Sequence, residues 1–208
     1  MSIPGKFITL EGIEGVGKST QVTFVAEWLE QAGYEVTITR EPGGTALGEA
    51  IRALLLDTTL PPMAALTELL LVFAARAEHL SRVIEPALAS GRWVVCDRFT
   101  DATWAYQGGG RGLPREVIGT LEALVQGVRR PDLTLLLDAP VGLALGRAKA
   151  RGTGDRFESE RAQFFDKVRA AYLEQARLEP ARFRLIDAAQ ALPAVQAAIA
   201  ASLGSLPV

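Results

Sequence analysis

Phe7-Ile8-Thr9-Leu10-Glu11-Gly12-Ile13-Glu14-Gly15-Val16-Gly17-Lys18-Ser19 is the stretch that decides the fold of this 208-residue chain. Gly12 to Ser19 fits the pattern GxxxxGK(S/T) in full. The apolar run Phe7 to Leu10 before it and the helical pattern from about Lys18 after it supply the strand and helix that such a loop requires. The spacing has a chemical reason: glycines let successive backbone N–H groups converge on phosphate oxygens, and the helix N-terminus adds partial positive charge. Lys18 offers a point charge and Ser19 can ligate magnesium. Glu14 is the misfit, because a carboxylate among phosphate-binding amides repels a polyanion. It is either a solvated loop charge or a partner for a hydroxyl or a metal shell.

Outward from the loop, short runs rich in Val, Ile, Leu, Phe and Thr alternate with longer helical patterns. Besides Phe7 to Leu10, strands are predicted at Glu35 to Thr39, Trp93 to Cys96, Leu133 to Leu137 and Phe183 to Ile186, and five strands separated by helices make a parallel sheet. The first helix places Val22, Val25, Ala26 and Leu29 on one face and stops at Gly33. Further helices are expected from about Glu49 to Leu56, from about Leu66 to Ser90 with a bend near Pro86, from Pro114 to about Val128, and from Leu192 to Leu203. Two glycine-rich insertions, Gln107 to Gly112 and Arg151 to Gly154, read as loops. With no internal repeat and no linker-like tract, residues 1–208 read as one domain.

Composition narrows the chemistry. One Cys, one His and no Asn exclude a disulfide framework, a Cys/His zinc site and a Cys-His-Asn triad. The missing Asn also removes the Asn-Lys-X-Asp motif by which GTPases of the Ras type read guanine. The net charge of -2 and pI of 5.6 give no broad basic footprint for nucleic acid. The longest apolar stretch, Met63 to Ala75, is interrupted by Glu68 and closed by Arg76, well short of the roughly 20 residues that span a bilayer. The N-terminus lacks the features of a signal peptide, so no membrane association and a cytoplasmic location are expected.

A phosphate-binding loop says nucleotide without saying which chemistry. A kinase needs in addition an acceptor site and a means of excluding water from the transferred group. Asp97 and Arg98 follow the strand Trp93 to Cys96 at the carboxyl edge of the sheet, where ligands bind in open α/β folds. There they are either a structural pair or a site in which Asp97 helps hold hydrated Mg²⁺ and Arg98 grips a phosphate.

Thr39-Arg40-Glu41-Pro42-Gly43-Gly44-Thr45, Asp97-Arg98-Phe99 and Ala105-Tyr106-Gln107-Gly108-Gly109-Gly110-Arg111, with the loop Gly12 to Ser19 and the segment Arg147 to Phe157, resemble bacterial thymidylate kinases in order and spacing over nearly the whole chain. The resemblance implies an α/β P-loop NTPase fold, a five-stranded parallel sheet flanked by helices with a short mobile lid at about 147–157. It implies γ-phosphoryl transfer from ATP to dTMP with Mg²⁺, and a homodimer.

The same resemblance implies roles for individual residues. ATP is held by Gly12, Ile13, Glu14, Gly15, Val16, Gly17, Lys18, Ser19 and Thr20, with Arg147 stacked on adenine. Ser19 and Asp97 belong to the metal site. Arg98 matches the residue that holds the dTMP phosphate, and Glu14 the carboxylate near the deoxyribose 3'-OH. Arg76 matches the donor to a thymine carbonyl, Thr103 and Gln107 lie where the pyrimidine edge is read, and Tyr106 crowds C2'. Glu41 and Arg52 match further pocket residues. Lys18, Arg151, Arg98 and Glu14 are the expected catalytic set, Arg151 being the arginine that one branch of the family delivers from its lid; Arg156 either reaches phosphates or is a helix-end charge.

One departure is visible. Many relatives place a base-stacking aromatic four residues before the Arg76 position, where this chain has Val72. Either the neighbouring Phe73 rotates in to stack or it belongs to the core. His79 reads as a helix residue without a catalytic role. Two other readings remain: a different nucleotide or deoxynucleoside kinase, and a nucleotide-dependent switch that transfers nothing.

Overall fold

In a computed structural model, which describes residues 5–150, 156–157 and 160–206, the sheet has five parallel strands: β1 (Phe7–Glu11), β2 (Val36–Arg40), β3 (Trp93–Asp97), β4 (Leu133–Asp138) and β5 (Phe183–Asp187). Their spatial order is β2-β3-β1-β4-β5. The three central strands are buried along almost their whole length, as their continuous apolar runs require, while the edge strands β2 and β5 leave Ile38 and Leu185 exposed. Each observed strand ends one residue beyond its predicted limit, on a residue that bonds or charges the carboxyl edge: Glu11, Arg40, Asp97, Asp138 and Asp187.

The chain leaves β1 toward the β2 edge of the sheet and leaves the adjacent β3 toward the β5 edge, so the crevice opens between the carboxyl ends of β1 and β3. Helix α1 (Lys18–Gln31) buries Val22, Val25, Ala26 and Leu29 as expected. Its end is closed by Gly33, which takes a left-handed φ of 89° while its N–H donates to Glu30 O.

Helix α2 (Ala46–Leu56) begins earlier than predicted because Thr45 caps it, its hydroxyl accepting from Gly48 N at 2.9 Å. The long helix expected from Leu66 to Ser90 is three pieces: α3 (Ala65–His79), a wide π-helical turn at Leu80–Ile84, and α4 (Glu85–Ala89). The wide turn lies just before Pro86, which lacks a donor and whose ring would crowd the carbonyl four residues back in a regular helix.

Between β3 and β4 run α5 (Thr100–Thr103) and α6 (Arg115–Gln126), and after β4 come α7 (Val141–Lys149), α8 (Ala162–Leu178) and α9 (Leu192–Gly204). The glycine-rich segment expected as a loop instead continues α5 in π-helical turns over Trp104–Gly110. Packing explains this. A Cβ on Gly109 would lie 2.6 Å from the Ala171 methyl, and one on Gly110 2.5 Å from the Phe164 ring, so the glycines let this segment press against α8. No helix among the described residues is long and apolar enough to cross a membrane.

Candidate active site

The loop between β1 and α1 is held by its own lysine. Lys18 Nζ donates to Gly12 O and Ile13 O, both at 3.0 Å, from a buried position. Burial and the like charge of Arg98 push its pKa down to about 8. Gly15 has a φ of 81° and presses against the Ala144 carbonyl of α7, leaving no room for a Cβ. Ile13 and Val16 point into the core, so only their backbone can serve a ligand. Ser19 lines the cleft, and Thr20 is exposed outside the lining.

Arg98 takes a left-handed φ of 70° at the end of β3, a conformation that costs a non-glycine residue energy and persists only where neighbours impose it. They do so here. Arg98 N donates to Leu10 O at 3.0 Å, its carbonyl accepts from Cys96 Sγ at 2.9 Å, and the following Phe99 N donates to Glu11 Oε1 at 2.7 Å. The guanidinium then reaches Gly12 O at 2.9 Å, Tyr172 Oη at 3.2 Å and Glu14 Oε1 at 2.9 Å.

Tyr106 donates to the other Glu14 oxygen at 2.6 Å and lies with its ring 4.8 Å from the Arg98 guanidinium carbon. Glu14 is therefore not a solvated loop charge. Glu11 accepts from Tyr172 Oη at 2.8 Å; burial and the Asp101 charge push its carboxyl up to about 8 against the opposing pull of Arg98.

At the other end of the cleft Arg76 is only 1% exposed. Its Nε donates to Glu41 Oε2 at 2.7 Å, and Nη2 to Phe99 O at 3.1 Å and Thr103 Oγ1 at 2.9 Å, while Nη1 has no protein partner. Glu41 also meets His79 Nδ1 at 3.0 Å, and His79 Nε2 meets Thr39 Oγ1 at 2.6 Å, so the single histidine is a buried network member. Arg52 donates to Pro42 O at 3.0 Å, and Gln107 donates to Glu68 Oε1 at 2.8 Å.

Of the expected dTMP-pocket residues, Glu14, Glu41, Arg52, Arg76, Thr103, Tyr106 and Gln107 line one cleft with Lys18, Ser19, Asp97, Arg98 and Phe157, and Phe73 does not. Its empty space, counted out to the open mouth, is about 940 Å³.

A sequence model of the thymidylate kinase family matches residues 10–199, a span that contains every residue lining this cleft. The chain belongs to the thymidylate kinase family. It is 62% identical over 195 residues to a thymidylate kinase of Pseudomonas syringae pv. syringae, covering 94% of this chain and 93% of that one. It is also 62% identical over 202 residues to one of Chromohalobacter salexigens, covering 96% and 95%. The crystal structure of thymidylate kinase from Ehrlichia chaffeensis superposes with a TM-score of 0.79 at 34% identity, over 97% of this chain and 99% of that chain.

Against the thymidylate kinase expectations, the structure decides the Val72/Phe73 alternative. Phe73 is 2% exposed and packs with Leu69 and Ile118, its ring centroid 4.9 Å from the Arg76 guanidinium carbon, whereas Val72 faces the cleft. The turn of roughly 100° between successive helical residues puts only one of the two on the cleft side. Phe73 is thus not a cleft residue.

Arg147 is exposed and donates to Ala188 O at 2.7 Å, and Arg151 lies outside the described residues. Arg156 donates to Leu55 O at 2.7 Å and to Glu68 Oε2 at 2.6 Å.

Magnesium fits the residues present. Asp97 Oδ1 is buried without a protein partner on the cleft wall that also carries Ser19. No group of three His, Cys, Asp or Glu able to hold a metal occurs among the described residues.

Residues that sequence reasoning missed are Glu11, Tyr172, Glu68 and Arg111. Glu11 stands one place before the recognised loop, and Tyr172 sits on α8, a helix whose pattern was not read. The available signals were the charge of Glu68 interrupting an apolar run and the place of Arg111 at the end of the motif Ala105 to Arg111.

Proposed function

We propose that the protein transfers the γ-phosphoryl group of ATP to dTMP, giving dTDP and ADP, with dTMP lying between Arg98 and Arg76. The observation that carries this reading is the pair of cleft ends: a cradle-facing Arg98 at one, and at the other an unpartnered buried Arg76 Nη1 on the lining that Gln107 shares. Arg98 binds the dTMP phosphate, and Glu14, oriented by Arg98 and Tyr106, accepts from the deoxyribose 3'-hydroxyl. Arg76, Thr103 and Gln107 meet the pyrimidine edge, and Glu41 and Arg52 shape the wall between.

The backbone of residues 12–20 and Lys18 hold the ATP phosphates, Arg147 stacks on adenine, and Ser19 and Asp97 hold Mg²⁺. The cation, when bound, offsets charge on the transferring phosphoryl group. No general base is needed, because the acceptor phosphate oxygen is already anionic at neutral pH. The protein acts as one domain, with a lid over residues 147–157 that excludes water, as a cytoplasmic homodimer in dTTP synthesis.

ADP formation from Mg-ATP, measured across a panel of nucleoside monophosphates and nucleosides, tests the reading. Stimulation by dTMP above all others is expected, and none by dTMP overturns it. Arg151→Ala is expected to lower kcat about 10³-fold or more with little change in dTMP binding, since an arginine delivered to the transition state acts there alone. Equal losses in kcat and binding argue against that role.

A further inference from the structure

Glu68 lies outside the cleft lining, yet it dictates how the cleft presents Gln107. It sits in the first turn of α3, fully buried. Oε1 accepts from Gln107 Nε2 at 2.8 Å and Arg111 Nε at 3.2 Å; Oε2 accepts from Arg111 Nη2 at 3.1 Å and Arg156 Nη2 at 2.6 Å. Burial alone would favour the neutral acid, but the hydrogen bonds from Arg111, Gln107 and Arg156 outweigh it and hold the carboxyl below the usual carboxylate range. At neutral pH the group is therefore an acceptor only.

That has a geometric consequence. A glutamine amide has a donating NH₂ end and an accepting carbonyl end, and only the NH₂ end can face a carboxylate. Gln107 lines the cleft, so the end left for a ligand is the carbonyl. On the same cleft Arg76 Nη1 is a donor without a partner. A donor and an acceptor together match the imide edge of thymine or uracil, which offers a carbonyl oxygen beside N3–H. Cytosine offers an amino group beside a bare N3, and meets both groups with the wrong polarity.

We propose that Glu68 is a specificity-determining positioning residue, which locks the Gln107 amide with its carbonyl toward the ligand so that the cleft selects imide over amidine pyrimidines. It rests on the reading that Arg76 and Gln107 face the base edge. Without an acceptor-only neighbour the amide turns over at little cost and presents its NH₂ group to N3 of cytosine.

The test compares kcat/KM for dTMP and dCMP in the wild type, Glu68→Gln, Gln107→Ala and the double variant. Glu68→Gln is expected to reduce the dTMP preference roughly tenfold or more. The double variant should lose no more than Gln107→Ala alone, as for two residues acting through one contact. Equal loss for both substrates in Glu68→Gln, or additive losses in the double variant, overturns the proposal. An unchanged preference in Gln107→Ala instead overturns the reading of the base edge.

Because Glu68→Gln removes the charge that Arg111 and Arg156 share, a second measurement uses the wild type. NMR of the Gln107 side-chain NH₂ is expected to show protection from solvent exchange before dTMP is added and little shift afterwards. Free exchange, or a large shift on binding, overturns the proposal equally.

Discussion

At the scale of single residues, the site runs on charges withheld from water. Glu11 keeps its proton to about pH 8, whereas in the unfolded chain it ionises near its ordinary 4.5. The folded protein thus binds the extra proton within that window, and its stability falls as pH rises from about 4.5 through 8 and then levels. Glu11→Gln is neutral throughout, so the melting temperature of the wild type should decline relative to this variant between pH 5 and pH 8.5. A constant difference would mean that Glu11 is ionised at both. Phe73→Ala should cost about 3–5 kcal/mol of stability, as truncation of a buried aromatic does, read by denaturant unfolding. A raised KM for dTMP with unchanged stability would return the ring to the cleft.

Among elements, what was legible followed from local pattern. The three central strands stood out because a sheet covered on both faces demands continuous apolar runs, the edge strands β2 and β5 by their short runs rich in Val, Ile, Leu, Phe and Thr, and α1 because its apolar face repeats with helical period. Helix α8 did not, although it buries Phe164, Phe165, Val168 and Tyr172. Gln107 to Gly110, part of the segment Gln107 to Gly112 expected as a loop, is helical: glycine signals a loop only when local conformation alone is weighed, and here Gly109 and Gly110 answer to Ala171 and Phe164, distant in sequence. Gly110→Ala should accordingly lower stability by about 1–3 kcal/mol through the clash with Phe164, a fall in melting temperature of roughly 2–12 °C. An unchanged melting temperature would show that α8 yields without cost. Such a shift would also move Tyr172, and with it the support of Arg98.

For the molecule as a whole, the proposed function divides the cleft between a phosphate end that takes magnesium and a base end built from Arg76, Thr103 and Gln107. Chelation of magnesium with EDTA should therefore abolish ADP formation yet leave stabilisation by dTMP in place, about 2.7 kcal/mol at a concentration 100 times its Kd. Loss of both in calorimetry would mean that the metal organises the acceptor end too. The chain's own order of residues determined the phosphate loop, the five strands and the chemical types gathered at the cleft, because backbone geometry and apolar period act over a few residues and leave a local trace. Tertiary structure alone decided the strand order, the packing of α8 on the glycine segment, the choice of Val72 over Phe73, and the pairing of Glu11, Glu14 and Glu68 with their arginines and tyrosines. Those outcomes depend on which side chains lose water together, and residues such as Glu11 and Tyr172 meet only once the sheet and α8 are in place.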